Sequence, residues 1–582
     1  MLVFDDRSQL CRGHDLWSDL RAETHPTDRL INFGIIESAI ADALCPERDD
    51  WHPLLVRLRR VAEHLGAEAA AQWNGLNDVR ERAGREATRE IATLHDERWP
   101  DVRVKMPEGY AYYALYPETY ADAAARWADA ARPVRVVCLG LRSIGTSLSA
   151  IVAGALRLRN IDVATWTLRP RGHPFERRVD LSPELVAALQ PAASTVLIVD
   201  EGPGLSGSSM TGAAAAVSAL GVTDDRIVFM PSWDPAPDRF VSRTAAARWH
   251  RHARVVPAFD AMRAVLAREH VVPANAVEIS AGRWRAWLDL PQPWPAAHPQ
   301  HERRKFVSIV PRGTSAGSEQ AIARFAGLGR HGRESCRRAG LLADAGWSAA
   351  PLAFDRGFLT LTVAEGHPMR AAAASGDFVQ HAARYLAWLR THASAGDTAC
   401  TTALAEMLRV NTREALGDEY LAAADALSRQ AAAFDEPETR VDGRLMPHEW
   451  IATPHGWLKT DALDHHRDHF FPGCADVAWD IAGLAAEFGL DRQAVALALA
   501  EYVRRTGDRA IGRRLPFYSA AYLAFRVGYS AMAAETLAGT AEGPRFQALD
   551  ERYRALLRAT LASARTQDAG CSTGSGPAPS AR

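Results

Sequence analysis

Between residues 131 and 275 the chain alternates short apolar runs with longer stretches whose apolar positions recur every three to four residues. The short runs are Val134–Leu139, Val163–Leu168, Thr195–Val199 and Arg226–Met230. Runs of this length, rich in β-branched residues and bounded by Gly, Pro or acids, predict strands buried on both faces. The stretches between them, including Leu148–Arg159 and the Ala-rich Met210–Leu220, predict helices. Strand–helix alternation of this kind predicts an α/β fold with a doubly wound, mostly parallel sheet.

The flanks read differently. Residues 1–130 predict a helical layer: Leu30–Leu44 carries apolar residues at helical spacing, and residues 54–96 read as two more helices. Tyr110, Tyr112, Tyr113, Tyr116 and Tyr120 crowd its end. Their rings either stack on a base or sugar or pack the helical layer against the sheet. Residues 276–300, with Pro291, Pro293, Pro295 and Pro299, read as an ordered linker. Residues 301–565 predict a second, mostly helical α+β domain. It opens with strands at Lys305–Val310 and near Ala321–Arg330, continues through a helix to Leu342, and has another strand starting at Phe358. From Thr566 the composition predicts a disordered tail.

Bulk properties narrow the function. A chain of 582 residues has room for two to four domains. Lys and Arg number 68 against 70 Asp and Glu, so no net charge draws the chain to nucleic acid or an anionic membrane. No apolar run approaches the roughly twenty residues that span a bilayer, and the first residues lack the order of a secretory signal. Seven scattered cysteines without a Cys-x-x-Cys pair predict reduced thiols in a cytoplasm.

The chemistry begins at the end of the Thr195–Val199 strand. Asp200 and Glu201 follow it, then Gly202-Pro203-Gly204 and the turn Ser206-Gly207-Ser208-Ser209 before a helix. Acids at a strand end can take ribose hydroxyls or a magnesium ion, and amides at a helix N-terminus can take phosphate. Upstream, Arg142, Ser143, Gly145 and Thr146 sit in a small-residue turn after another strand. Arg169, Arg171 and His173 lie in a basic Pro/Gly loop after the next one. An ordinary βα turn or a solvated loop is the plainer reading of each. Together the three loops resemble those of type I phosphoribosyltransferases, with one extra residue between the acid pair and the Ser-Gly turn. The resemblance implies that Asp200 and Glu201 hold the ribose of phosphoribosyl pyrophosphate, with Mg2+, and stabilise charge at the anomeric carbon. It further implies that Ser206–Ser209 fix the 5′-phosphate. Arg142, Ser143, Gly145 and Thr146 then neutralise pyrophosphate, and the Arg169–His173 loop closes over it. Trp233 and Asp234, after the Arg226–Met230 strand, either face an acceptor base or form a surface turn.

A second chemical region lies at Arg440-Val441-Asp442, Gly456–Asp461 and Asp476–Ala482. It resembles, distantly, aminoglycoside and choline phosphotransferases of the kinase fold. That resemblance implies Asp442 as the catalytic loop acid, Asp461 as the metal ligand, Asp480 as the structural acid, and Arg324 where a strand lysine contacts phosphates. Pro447 stands where the family has a metal-binding Asn, and no Gly-rich phosphate lid is evident. Asp461, Asp464, His465, His466, Asp468 and His469 also suit a metallophosphohydrolase cluster or a solvated loop. Two functions stay open from the sequence. One is a phosphoribosyltransferase fused to a kinase-like domain that uses or binds ATP. The other is a non-catalytic sensor of nucleotides or phosphosugars. Both expect a small phosphorylated ligand, no membrane and no nucleic acid, and both leave a homodimer open.

Overall fold

The computed structural model describes residues 1–572 except 5–7, 13–15, 18–19, 21–22, 95–96, 98, 100, 205, 237–239, 312–317, 399–400 and 435. Near the N-terminus, α1 (Pro26–Leu44), α2 (Pro53–Trp73) and α3 (Pro117–Ala131) each start on a proline. Its missing N–H costs nothing in the first turn. The parallel sheet follows. Its strands are β1 (Arg135–Leu141), β2 (Asp162–Leu168), β3 (Thr195–Val199), β4 (Ile227–Met230) and β5 (Ala253–Arg254), in the order β2-β1-β3-β4-β5. Helix α4 (Ile144–Arg157) leaves β1 for β2, α5 (Ser208–Ala219) leaves β3 for β4, and α6 (Phe259–Arg268) follows β5.

Alternate residues of β1 and β3 face opposite ways, as a pleat requires. Val137, Leu139, Val196 and Ile198 join a core with α1 and α2. Val136, Cys138, Leu197 and Val199 join a second core with α3 and α6. That second core continues into Phe306, Phe325 and Phe358 of the C-terminal half, so the two halves share one apolar interior. The tyrosines sit in this joint. Tyr110, Tyr112, Tyr116 and Tyr120 are buried, and the Tyr116 hydroxyl donates to the Arg356 carbonyl at 2.5 Å. The packing reading of that segment therefore holds.

The C-terminal half opens with an antiparallel sheet of β6 (Val277–Glu278), β7 (Lys305–Pro311), β8 (Ser318–Phe325), β9 (Pro351–Asp355) and β10 (Phe358–Thr362), ordered β9-β10-β8-β7-β6. Helix α7 (Gly329–Asp344) lies between β8 and β9. Then come α8 (Gly376–His392), the hairpin β11 (Trp450–Thr453) and β12 (Gly456–Lys459), and the helices α9 (Ala478–Phe488), α10 (Ile511–Thr536) and α11 (Gly543–Ser572). The architecture is thus mixed α/β, with one parallel sheet, one antiparallel sheet and many helices. Among the described residues no helix is long and apolar enough to cross a membrane.

Two expectations are revised. The segment read as a linker, 276–300, supplies edge strand β6, and its Trp284 and Trp294 line a cleft. Its prolines shape a wall because the indoles have a surface to cover. The segment read as a tail from Thr566 is helical as far as Ser572; residues 573–582 lie outside the described residues.

Helices α2 and α4 touch through backbone. A Cβ on Gly66 would lie 2.3 Å from the Ala150 carbonyl oxygen, and one on Gly154 would lie 2.7 Å from the Gly66 oxygen. Since α4 carries the turn after β1, this contact positions that turn. Gly66→Ala is expected to destabilise the fold by about 1–3 kcal/mol through overpacking, read as a lower chemical-denaturation midpoint at unchanged slope. An unchanged midpoint would show that the helices separate freely.

Candidate functional site

The carboxyl ends of β1, β2 and β3 bring the three predicted loops together, as adjacent parallel strands must. Asp200 and Glu201 are half-buried there. Burial pushes Asp200 up to about 6, against backbone N–H groups of Glu201, Gly202 and Gly145 that oppose the rise. Burial, with Glu108 and Asp200 nearby, pushes Glu201 well above the usual carboxylate range; the Gly109 N–H donates to it at 3.1 Å. Among the described residues neither carboxylate has an ion-pair partner. Two half-buried carboxylates without an ion-pair partner, with Arg169 acting on Asp200 from beyond pairing distance, suit a cation or a pair of sugar hydroxyls.

The basic residues expected around them are already engaged. Arg142 is 3% exposed and pairs with Asp49 at 2.9 Å and Asp42 at 3.3 Å. Arg169 donates to Asp42 through Nε at 2.9 Å, and Arg171 pairs with Asp49 at 3.1 Å. Both acids come from α1 and the loop after it, a source that motif reading of the sheet does not reach. The Ser143 N–H donates to the Ser38 hydroxyl at 3.0 Å, and Thr146 is fully buried. Gly145 is required where it is: a Cβ would lie 2.5 Å from the Val199 carbonyl oxygen. In the turn before α5, Gly207 adopts φ 63° and Ser209 lies in the first helical turn. The Ser206 and Ser208 hydroxyls lie 3.0 Å apart, and Ser208 donates to the Pro174 carbonyl at 2.6 Å. The basic loop therefore rests on the serine turn, with His173 exposed at its tip. Asp234 takes bonds from Trp249 and Arg254, which makes its segment a surface turn.

The C-terminal half holds a cleft of about 1610 Å3 between the antiparallel sheet and the helices. Gln320, Ile322 and Arg324 of β8 line it at every second position. The segment Leu361–Arg370 and the rings of Trp284, Trp294 and Tyr529 line it as well. Its floor is the loop after Val441. The Asp480 carboxylate, at the start of α9, accepts the N–H groups of Asp442 and Gly443, each at 2.9 Å. Burial and the neighbouring Asp442 push Asp480 up to about 7, against those two bonds. Asp442 itself is 1% exposed. Tyr385 donates to one of its oxygens at 2.7 Å and the Lys459 ammonium lies 3.3 Å from the other.

From Asp442 a chain of alternating charges crosses the floor. Lys459 also reaches Glu449 at 3.2 Å; Arg444 joins Glu449 at 2.5 Å to Asp461 at 2.9 Å. Arg324 joins Asp461 at 2.7 Å to Asp464 at 2.8 Å, and Arg303 joins Asp464 at 2.9 Å to Asp468 at 2.7 Å. Burial alone would raise these acids. Arg444 and Lys459 outweigh it and hold Glu449 down at about 2, while Lys305, Arg324 and Arg444 hold Asp461 well below its usual range. Sequence reading named Asp442, Asp461, Asp480 and Arg324, the cluster with Asp464 and Asp468, and His448 or Glu449 in place of the family's metal-binding Asn. It passed over Arg303, Lys305, Arg444 and Lys459, whose one available signal is their closeness in sequence to those residues or to the strands beside them.

Ligand atoms of Asp461, Asp464 and His465 lie within 4.8 Å of one another, the one such group among the described residues. Spacing there suits a divalent ion; charge does not. Both aspartates are already held by guanidinium groups, and a cation would have to displace them against the repulsion of Lys305, Arg324 and Arg444.

No protein-family model and no curated protein matches the chain. Several solved structures resemble part of it. Choline kinase LicA from Streptococcus pneumoniae is 18% identical over 44% of this chain and 93% of its own, with a TM-score of 0.32. Choline kinase from Cryptosporidium parvum is 10% identical over 53% and 97%, with a TM-score of 0.35. Macrolide 2'-phosphotransferase MphH from Brachybacterium faecium is 14% identical over 46% and 98%, with a TM-score of 0.31. Scores this low carry no functional argument, and the chemistry of the cleft stands on its own geometry.

Replacing Asp480 tests the clamp beneath the loop. Asp480→Ala leaves two enclosed N–H donors unmet, a loss of about 2–6 kcal/mol at about 1–3 each. Thermal unfolding should show a clearly lower midpoint. Parental stability would show that water or backbone rearrangement replaces the carboxylate.

Proposed function

We propose that the cleft of the C-terminal half binds a nucleotide through its phosphates and transfers a phosphoryl group to a small hydroxyl-bearing acceptor. The observation that carries this reading is the Asp480 clamp. It fixes the Asp442–Gly443 backbone beside a sheet whose Arg324 and Lys305 meet Asp461, two residues after the β12 hairpin. A fixed loop acid, linked through Lys459, Glu449 and Arg444 to Asp461 and its cations, is the kind of held geometry that positioning-based phosphoryl transfer needs. Asp442 takes the acceptor's proton once its Lys459 contact shifts. The acceptor oxygen then bonds to the terminal phosphorus, and the bond from that phosphorus to its bridging oxygen breaks. The diphosphate leaves with the extra charge, which Arg324, Lys305 and Arg444 stabilise. The segment Leu361–Arg370 is proposed to take the base.

A second reading, binding without transfer, is favoured by the engagement of both Asp442 oxygens by Tyr385 and Lys459. ADP release from ATP across a panel of small alcohols and amino sugars separates the two. Transfer predicts that Asp442→Asn lowers kcat by a factor of about 100 or more and leaves ADP affinity near the parental value. ADP binding with no turnover on any acceptor supports the binding-only reading.

For the parallel-sheet half we propose a phosphorylated ribose as ligand, and phosphoribosyl transfer as its chemistry. The half-buried Asp200 and Glu201 at the end of β3, neither in an ion pair, favour this. They would hold the ribose hydroxyls and a magnesium ion, which would screen the pyrophosphate. Arg142, Arg169 and Arg171 would first have to exchange Asp42 and Asp49 for ligand oxygens. Pyrophosphate release from phosphoribosyl pyrophosphate with a panel of bases tests it: Asp200→Asn combined with Glu201→Gln should abolish release, and release at the parental rate would refute the assignment.

A further inference from the structure

The strands that roof the cleft set like charges against each other. Arg324 on β8 stands directly opposite Lys305 on β7 in the antiparallel register. Opposed like charges on one sheet face repel unless something of opposite sign lies between them. Asp461 supplies part of that charge, at 2.7 Å from Arg324 and 3.6 Å from Lys305. The guanidinium of Arg324 is nonetheless only half used. Its Nη2 meets Asp461 and Asp464, while Nε and Nη1 are buried with no hydrogen-bond partner. The residue is 4% exposed and lines the cleft. Buried donors left unmet are costly, and planar guanidinium donors match phosphate oxygens in pairs. Arg444 meets the other Asp461 oxygen, Oδ2, at 2.9 Å, the oxygen that Lys305 also approaches, and keeps 40% of its side chain exposed.

We propose that Arg324, Lys305 and Arg444 form a metal-free oxyanion site that grips the phosphoanhydride of the cleft's ligand, and that Asp461 is their internal counter-ion and not a metal ligand. The inference rests on the reading of the cleft as a phosphate-ligand site. Without ligand, Asp461 keeps three cations from repelling one another. With ligand, phosphate oxygens reach the free Nε and Nη1 of Arg324 and compete with Asp461 for Lys305 and Arg444. A divalent ion is redundant there, since the three cations already supply its charge. The ligand class is a nucleoside di- or triphosphate, or inorganic pyrophosphate, which shares the same anhydride.

Isothermal titration of the full-length chain with ADP, and separately with inorganic pyrophosphate, tests this in excess magnesium and in excess EDTA. ADP affinity in EDTA should lie within about threefold of that in magnesium, well under the tenfold that 1.4 kcal/mol represents. Arg444→Gln, at a side chain 40% exposed and checked for parental folding by its unfolding midpoint, should weaken ADP about tenfold or more in EDTA, the scale of one charge-assisted bond. Asp461→Asn removes the competing carboxylate and should keep or tighten ADP binding in both buffers. ADP binding that requires magnesium, or that Asp461→Asn abolishes only in magnesium, would overturn the proposal and leave the nucleotide reading intact. Failure of both ADP and pyrophosphate to bind in either buffer would overturn the cleft reading and this inference with it. Binding of pyrophosphate alone would support the oxyanion site and refute the nucleotide.

Discussion

Charges taken out of water must be compensated, and this constraint organises the C-terminal half. Five carboxylates (Asp442, Glu449, Asp461, Asp464 and Asp468) alternate with five cations (Lys459, Arg444, Lys305, Arg324 and Arg303) on the floor of the cleft. An isolated buried charge costs several kcal/mol, and a pair recovers this only when geometry and hydrogen bonding are good. Each member here touches charges of opposite sign, so the β8 strand, the Asp442 loop and the β12 hairpin cannot move independently. The same balance accounts for the depressed Glu449 and Asp461. It also leaves no member free to take a cation without releasing another.

The network of polar contacts does not stop within the C-terminal half. Asp468 lies 2.8 Å from His469, whose ring is 3.8 Å from Glu108, and Glu108 adjoins Gly109, which donates to Glu201. Arg303, the partner of Asp468, lies over the Tyr112 ring at 4.2 Å. The tyrosine segment is therefore both apolar filler between the sheets and the mechanical link between the acid pair of one half and the charged floor of the other. A core that includes Val199 and Phe325 together makes the halves one packed body.

Much of this was legible from pattern. The alternating apolar runs placed β1 to β4 within one or two residues, because strands buried on both faces admit few polar residues. The α4 helix begins four residues before its apolar periodicity suggests, since small residues at Gly145 and Thr146 carry no hydrophobic signal yet allow close approach to β3. Asp442, Asp461 and Asp480 were named through a family resemblance; Asp480 holds the Asp442–Gly443 backbone, and Arg444 of the same loop reaches Asp461. What stayed hidden depends on long-range pairing. Asp42 and Asp49 neutralise arginines more than ninety residues away, and Arg303 and Lys305 meet acids some 160 residues on. No local pattern encodes such partners. The Trp/Pro segment was misread for a related reason, since indoles in an apparent linker have meaning only once the cleft they line is known.

The account stands or falls on whether the charged floor is held by mutual compensation. Arg303 and Asp464, 2.9 Å apart and almost fully enclosed, offer the cleanest pair. A double-mutant cycle of Arg303→Met and Asp464→Leu, followed by denaturant unfolding, measures their dependence directly. Compensation predicts that each single change costs about 3–5 kcal/mol by stranding a charge, while the double variant is more stable than either single one. Losses that simply add would contradict it.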